Sequence, residues 1–248
     1  MSRQEFTDEA EDRARTKAAA AQPRPDAAGD TRLALILAAE RIFSAEGITS
    51  TSLRRINQAA GQRNESAIHY YFGSREGLVA AILELRTAPI NEARTRMIRD
   101  ARKRQGAKPL ESRDIAEAIA GPLIDHLRAH LGETCYLRFQ CMLWLDRPVW
   151  KNFVRDARAS GLKQAQEALI ESRSFLPEQL VRQRFGLALQ MVTNALARIE
   201  RVAEEAETLP DPALLDVEFV TLVDAVVAIF DAAPSPELVA AMRRTGEA

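Results

Sequence analysis

Cysteine is scarce in this sequence: Cys135 and Cys141 are the only two in 248 residues. That excludes a disulfide framework and makes a reducing compartment, the cytoplasm, the simplest expectation. Charge of one sign is lacking too. The formal net charge is -1, so bulk charge points neither to nucleic acid nor away from it, and local distribution has to decide. No long hydrophobic run occurs. The most apolar stretch, FVTLVDAVVAIF from Phe219 to Phe230, is too short for a bilayer and carries Asp224. The N-terminus is charged and has no apolar leader, so no membrane partner is expected. Neither a nucleophile–base set nor a phosphate-cradling loop stands out. The chain therefore reads as no enzyme and without a cofactor.

What the sequence does have is helical periodicity. Residues 1–30 are rich in Ala, Gln, Pro, Gly and mixed charge, and read as a disordered tail with one basic patch, RARTKAAAAQPR. From Thr31 onward, Leu35, Ile36, Ala39, Ile42 and Phe43 mark one helix face, and Gly47 ends it. Ser52 is placed to cap a short helix carrying Leu53, Ile56 and Ala60, which Gly61 closes. Asn64 is placed to cap another, with Glu65 against its N-terminal dipole, broken at Gly73. Ser74 caps a fourth helix that carries Leu78, Ile82 and Leu85. Beyond Pro89, amphipathic patterns run over roughly 90–104, 112–130, 134–144, 148–172, 177–205 and 212–232, with a short one after Pro236. No β-alternation and no internal repeat is visible. The fold class expected is all-α, with a tail over 1–30, a three-helix head over 31–88 and a larger helical bundle over 89–248.

Aromatic residues make up only 6% of the chain, yet His69, Tyr70, Tyr71 and Phe72 stand in one row. Two short helices joined by a glycine-containing turn, after a longer helix, describe a helix-turn-helix. Ile68 and Phe72, at i and i+4, would pack inward. His69 and Tyr70 then face outward, where a ring with a polar tip can meet a phosphate or a thymine methyl. Between residues 52 and 75, Arg54, Arg55, Arg63 and Arg75 oppose Glu65 alone, a local excess of three positive charges. This is the electrostatic footprint of a DNA-facing surface, and equally that of a helical corner with a solvated basic face.

The stretches ILAAERIFSAEG, TSLRRINQAAG, IHYYF and GSREGLVAAIL, within residues 32–85, resemble in order the N-terminal domain of the TetR family of transcriptional repressors. The turn QRNES is one residue longer than is usual there, and Asn57 stands where the family has a small residue. The resemblance implies that Arg54 reaches a base or phosphate, that Ser66 and Ala67 occupy the base-facing start of the recognition helix, and that His69 meets a phosphate. It further implies that Tyr70 touches bases, that Tyr71 contacts the backbone and that Arg75 meets a phosphate at the next helix N-terminus. Arg63 and Asn64 lie in the lengthened turn and join the set.

The partner implied is double-stranded operator DNA, bound as a homodimer. Helix 177–205 carries Phe185, Leu189, Val192 and Leu196 on one stripe, and 219–230 is apolar on almost every side. A helix apolar all round needs cover from two directions, its own core and a partner, or a core alone. The resemblance implies a dimer through helices 177–205 and 212–232. It also implies an effector cavity for a small apolar molecule among the middle helices, where Met97, Leu123, Leu127, Phe139, Met142, Leu143, Trp144, Trp150 and Phe153 serve equally well as core. His126 and His130, four apart, lack the further ligands of a zinc motif, and no metal is expected. The rival readings are a helical adaptor that binds protein rather than DNA, and a metal-dependent helical enzyme using the histidines and cysteines.

Overall fold

A computed structural model describes residues 25–64, 66–146, 160–206 and 210–245. Among them every regular element is a helix, as expected. The chain begins with α1 (Pro25–Glu46), α2 (Leu53–Ala59), α3 (Ala67–Phe72) and the long α4 (Arg75–Gln105). It continues with α5 (Ser112–Ala129), α6 (Tyr136–Leu145), α7 (Ser160–Ser172), α8 (Glu178–Glu205), α9 (Pro212–Asp231) and α10 (Pro236–Thr245). The tail over 1–24, and the part of the helix expected over 148–172 that includes Trp150 and Phe153, lie outside the described residues.

With seven and six residues, α2 and α3 are too short to persist alone. They are held by what they bury. Ile56 and Ile68 are fully buried in a cluster with Leu35, Phe43, Leu78 and Ile82 from α1 and α4. Local chemistry fixes the joints: Ser52 accepts from the Arg55 amide at 3.3 Å and Ser74 from the Gly77 amide at 3.1 Å. Such caps contribute about 1 kcal/mol each. Gly77 has a second role, since a Cβ there would lie 1.9 Å from the Phe72 carbonyl oxygen. Only glycine lets the end of α3 sit against the first turn of α4.

Two boundaries differ from those expected. α1 begins at Pro25, six residues before Thr31. Proline is pre-organised for a first helical position, where its missing N–H is no loss. α4 runs through Pro89 without ending, so the division expected at residue 88 falls inside one continuous 31-residue helix. An internal proline costs about 3 kcal/mol. Here burial outweighs that cost: Leu83, Thr87, Ile90, Asn91, Arg94 and Ile98 are all buried on the face that α5 and α7 cover. Pro122 is likewise carried inside α5.

The larger helical part packs α8 against α6, α7 and α9, with α9 also on α5. This part meets α1 through an apolar contact, Phe43 against Phe139 at 6.4 Å, and through polar groups. Glu40 of α1 is 1% exposed and is gripped in two-pronged fashion by Arg86 of α4, at 2.8 and 3.3 Å. The Cys135 thiol donates to the same carboxylate at 3.6 Å. A second route runs through Glu200 of α8, fully buried, which accepts from the Leu137 and Arg138 amides at 3.1 and 3.0 Å. Arg138 also reaches Glu204, and Glu204 pairs with Arg41 of α1.

Removing one member of the Glu40–Arg86 pair strands the other. Glu40→Ala is therefore expected to lower stability by about 3–5 kcal/mol, and the double change Glu40→Leu with Arg86→Met to recover most of the loss. Urea denaturation of the three proteins measures both, and equal losses in the single and double variants would remove the pair from this role.

Candidate nucleic-acid interface

Six residues leave α3 little choice of orientation. Ile68 is fully buried, Phe72 is half-buried against the core, and Arg32 of α1 lies over the Phe72 ring at 5.5 Å. With those positions inward, His69 is exposed and Tyr70 is 82% exposed. Tyr71 lies between, half-buried, its ring edge-on to Tyr70 at 4.9 Å. Tyr70 thus rests on a partner that is itself anchored, and the row divides into an inward pair, a wedge and an outward pair.

The His69 ring is oriented. Its Nδ1 stands 3.0 Å from the Gly73 carbonyl oxygen, which only accepts, so Nδ1 carries the hydrogen. Nε2 then accepts in the neutral ring and donates only in the imidazolium. Bonding to a phosphate oxygen therefore requires the charged ring.

The cations are less uniformly available than their count suggests. Arg54 and Arg63 are exposed. Arg55 pairs with Glu46 of α1 at 2.8 Å. Arg75, expected on a phosphate, turns Nη1 inward to the Ile48 and Thr51 carbonyls and pins the α1–α2 loop to α4. A guanidinium satisfies carbonyls that the loop cannot pair itself, and the sequence gives no sign of it because these partners lie more than twenty positions away. Arg32 is the reverse case. It is exposed beside α3, and sequence reasoning missed it because it lies in the preceding helix, outside the basic stretch.

At the start of α3 the structure corrects two assignments. Ala67, expected to face bases, is 7% exposed and belongs to the core. Its partner in that reading, Ser66, is exposed and stands at the cap position. Asn64 does not cap the helix as expected. Its Oδ1 accepts from the Ser66 amide at 3.0 Å and the Ser66 hydroxyl at 2.7 Å, forming a turn one step earlier. The longer turn is absorbed there, and α3 opens at Ala67. Glu65, read as a helix N-terminal charge, lies outside the described residues.

The residues weighed for metal or nucleophilic chemistry are placed elsewhere. His126 meets Thr134 at 3.3 Å, tilted against His130 and edge-on to Tyr136. Burial, with Arg86 and His130 nearby, holds it down at about 4. Burial pushes the Cys135 thiol up to about 12 and Cys141 up to about 11, which keeps both protonated. Among the described residues no three His, Cys, Asp or Glu side chains gather as a metal would need, and no helix is long and apolar enough to cross a membrane.

Residues 35–82 match the family model for bacterial regulatory proteins of the tetR family. Over 74 residues the chain is 36% identical to the HTH-type transcriptional repressor NicS of Pseudomonas putida, a match covering 30% of this chain. The chain spans about a third of that relative's length, 34%. Among solved structures, a regulator assigned to the TetR family from Mesorhizobium loti has 16% identity and a TM-score of 0.43, over 84% of this chain and 98% of its own. A TetR-family regulator of Streptomyces coelicolor has 23% identity and a TM-score of 0.35, over 85% and 99%. Superpositions this loose add nothing to the match over residues 35–82.

Two expectations follow from the geometry. Arg75→Ala should lower stability by about 1–3 kcal/mol through the unpaired carbonyls. Arg75→Gln keeps a donor for those carbonyls and removes the charge, so it should bind DNA with an unchanged salt slope if Arg75 serves the loop alone. Had Arg75 neutralised a phosphate, the slope would flatten by about one unit for each protomer. Tyr70→Ala, on so exposed a side chain, should leave stability within about 0.5 kcal/mol. It should relax preference at one or two base positions, while His69→Gln should weaken all sites alike. Fluorescence anisotropy across a panel of duplexes checks both, and sequence preference that follows His69 instead would reverse the assignment.

Proposed function

We propose that the chain is a DNA-binding transcriptional regulator of the TetR family, a homodimeric repressor whose hold on a palindromic operator weakens when a small, largely apolar molecule enters its helical part. The observation that carries the DNA reading is the outward row on α3, with Tyr70 82% exposed on a helix whose inner face is locked in the core. In this reading the head, residues 31–88, meets DNA in the cytoplasm. Tyr70 and Ser66 reach base edges, His69, Arg54 and Arg63 lie along the phosphates, Asn64 shapes the turn, and Tyr71 supports Tyr70. Residues 89–248 carry ligand binding and the dimer interface.

The dimer reading rests on α9. Its inner face buries Leu215, Phe219, Leu222, Val226 and Phe230, while Leu214, Val217 and Val220, three apart, are exposed by 66%, 64% and 60%. α8 adds Leu187 at 60%. Apolar side chains aligned on the outside of an amphipathic pair are a surface that water disfavours and a second copy can cover. Two heads related by a two-fold axis read two half-sites about one helical turn apart. A ligand lowers affinity only by favouring a dimer geometry with a different head separation.

Selection from random duplex DNA should return a palindrome with half-site centres about 10 base pairs apart or slightly more. Val217→Glu should give monomer mass in sedimentation and at least about tenfold weaker operator binding. Asymmetric sites, or a dimer indifferent to this change, would count against the arrangement. A shallow salt dependence would count against DNA as the partner.

A further inference from the structure

Arg94, in the middle of α4, is 4% exposed and has no carboxylate partner among the described residues. Its Nη1 donates to the Asn91 side-chain oxygen at 3.1 Å and its Nη2 to the Ile119 carbonyl at 3.3 Å, while Nε finds no acceptor. Tyr136 lies near, its phenol pushed up to about 12 by burial, and is therefore neutral. That phenol is already bonded to Thr87 at 2.8 Å and to Gln140 at 2.7 Å. The other deeply buried charges described above are compensated: Glu40 by Arg86, and Glu200 by Arg138 and two amides. A guanidinium with five donors, two of them on neutral oxygens, is an incomplete site for an anion.

A groove opens one turn away from it. Ile98, one turn further along α4, lines an open groove of about 510 Å³ between α4 and α7. Arg99, Arg102 and Lys103 stand at its rim against Glu167. Arg99 and Lys103 also pair with Asp100 and Arg102 with Glu171, all at exposed positions where such pairs exchange readily with other anions. Over Arg94 itself α7 crosses α4 at close range. A Cβ on Gly161 of α7 would lie 2.5 Å from the Asn91 carbonyl oxygen and 3.0 Å from the Arg94 Cβ, so only glycine permits this crossing. No side chain at Gly161 locks α7 to α4 there.

We propose that Arg94 anchors the carboxylate of an amphiphilic ligand, whose apolar body lies along Ile98 between α4 and α7. The proposal rests on the ligand-responsive reading above and names the chemical class of that ligand. It takes an acid with a hydrocarbon or aromatic body, bound by the pairing of planar guanidinium and carboxylate.

The test is thermal unfolding of the full chain with sodium benzoate or sodium octanoate, against sodium chloride at equal ionic strength, with benzyl alcohol and 1-octanol as uncharged counterparts. At least one acid should raise Tm by about 4 °C or more, and neither alcohol should. Arg94→Met should lose that shift and melt no lower than the wild type without ligand, while Arg94→Lys keeps part of the shift. The proposal is overturned if neither acid raises Tm, if the alcohols do as well, or if Arg94→Met responds like the wild type. Should Arg94→Met fail to fold, the acid-against-alcohol comparison on the wild type decides alone. DNA release measured with the same compounds separates the two readings. An acid that binds without releasing DNA overturns ligand-responsive repression and leaves the anchor standing. Release by the alcohols alone overturns the anchor.

Discussion

One buried ion pair braces the first helix of this protein against the fourth, beside the point where the helical part begins. Glu40 comes from the first helix and Arg86 from the fourth, and neither charge is tolerable in the interior without the other. The pair sits where α1, α4 and the start of α6 meet, and the Cys135 thiol completes the carboxylate's surroundings. Arg41, Glu204, Arg138 and Glu200 form a second polar route, from α1 to α8. Apolar packing alone would let these helices slide, because it is non-directional. The ion pairs fix their register, and α3 inherits that register because α2 and α3 are too short to set their own.

What could be read from the sequence was what depends on neighbours along the chain. The helix periods of α1, α5, α8 and α9, the caps at Ser52 and Ser74 and the inward placing of Ile68 and Phe72 all follow from spacing within a few residues. Pro89 was misleading because a local rule met a tertiary one. The helix-breaking cost is fixed, while the burial that overcomes it belongs to α5 and α7, which the local pattern does not show. The site was legible in the same proportion. Tyr70 and His69 face outward by helical angle. Ala67 is buried because it lies next to Ile68 and one turn before Tyr71, on the flank of α3 that packs on the core. Arg75 is diverted to two carbonyls far back in the chain, and an arginine's partner is invisible until the fold supplies it.

Arg94 is the extreme of that last case. In sequence it is one basic residue among many on a long helix. Its meaning comes entirely from being enclosed by elements up to seventy positions away, with no carboxylate bonded to it among the described residues. A structure reveals such groups by what they lack, and the two buried carboxylates of the same protein supply the standard of comparison.

The close seat of Phe72 on Gly77 turns α3 and α4 into one stiff arm. At 1.5 Å per residue, the 31 residues of α4 reach about 46 Å from the head to the far end of the helical part. Pivoting such an arm by about 5° carries its tip about 4 Å, and neighbouring base pairs are about 3.4 Å apart. A displacement too small to repack the core is thus, at the tip, a full step along the double helix. In the proposed dimer the two arms would step in opposite directions about the two-fold axis, and a slight internal tilt would become a loss of register with the groove.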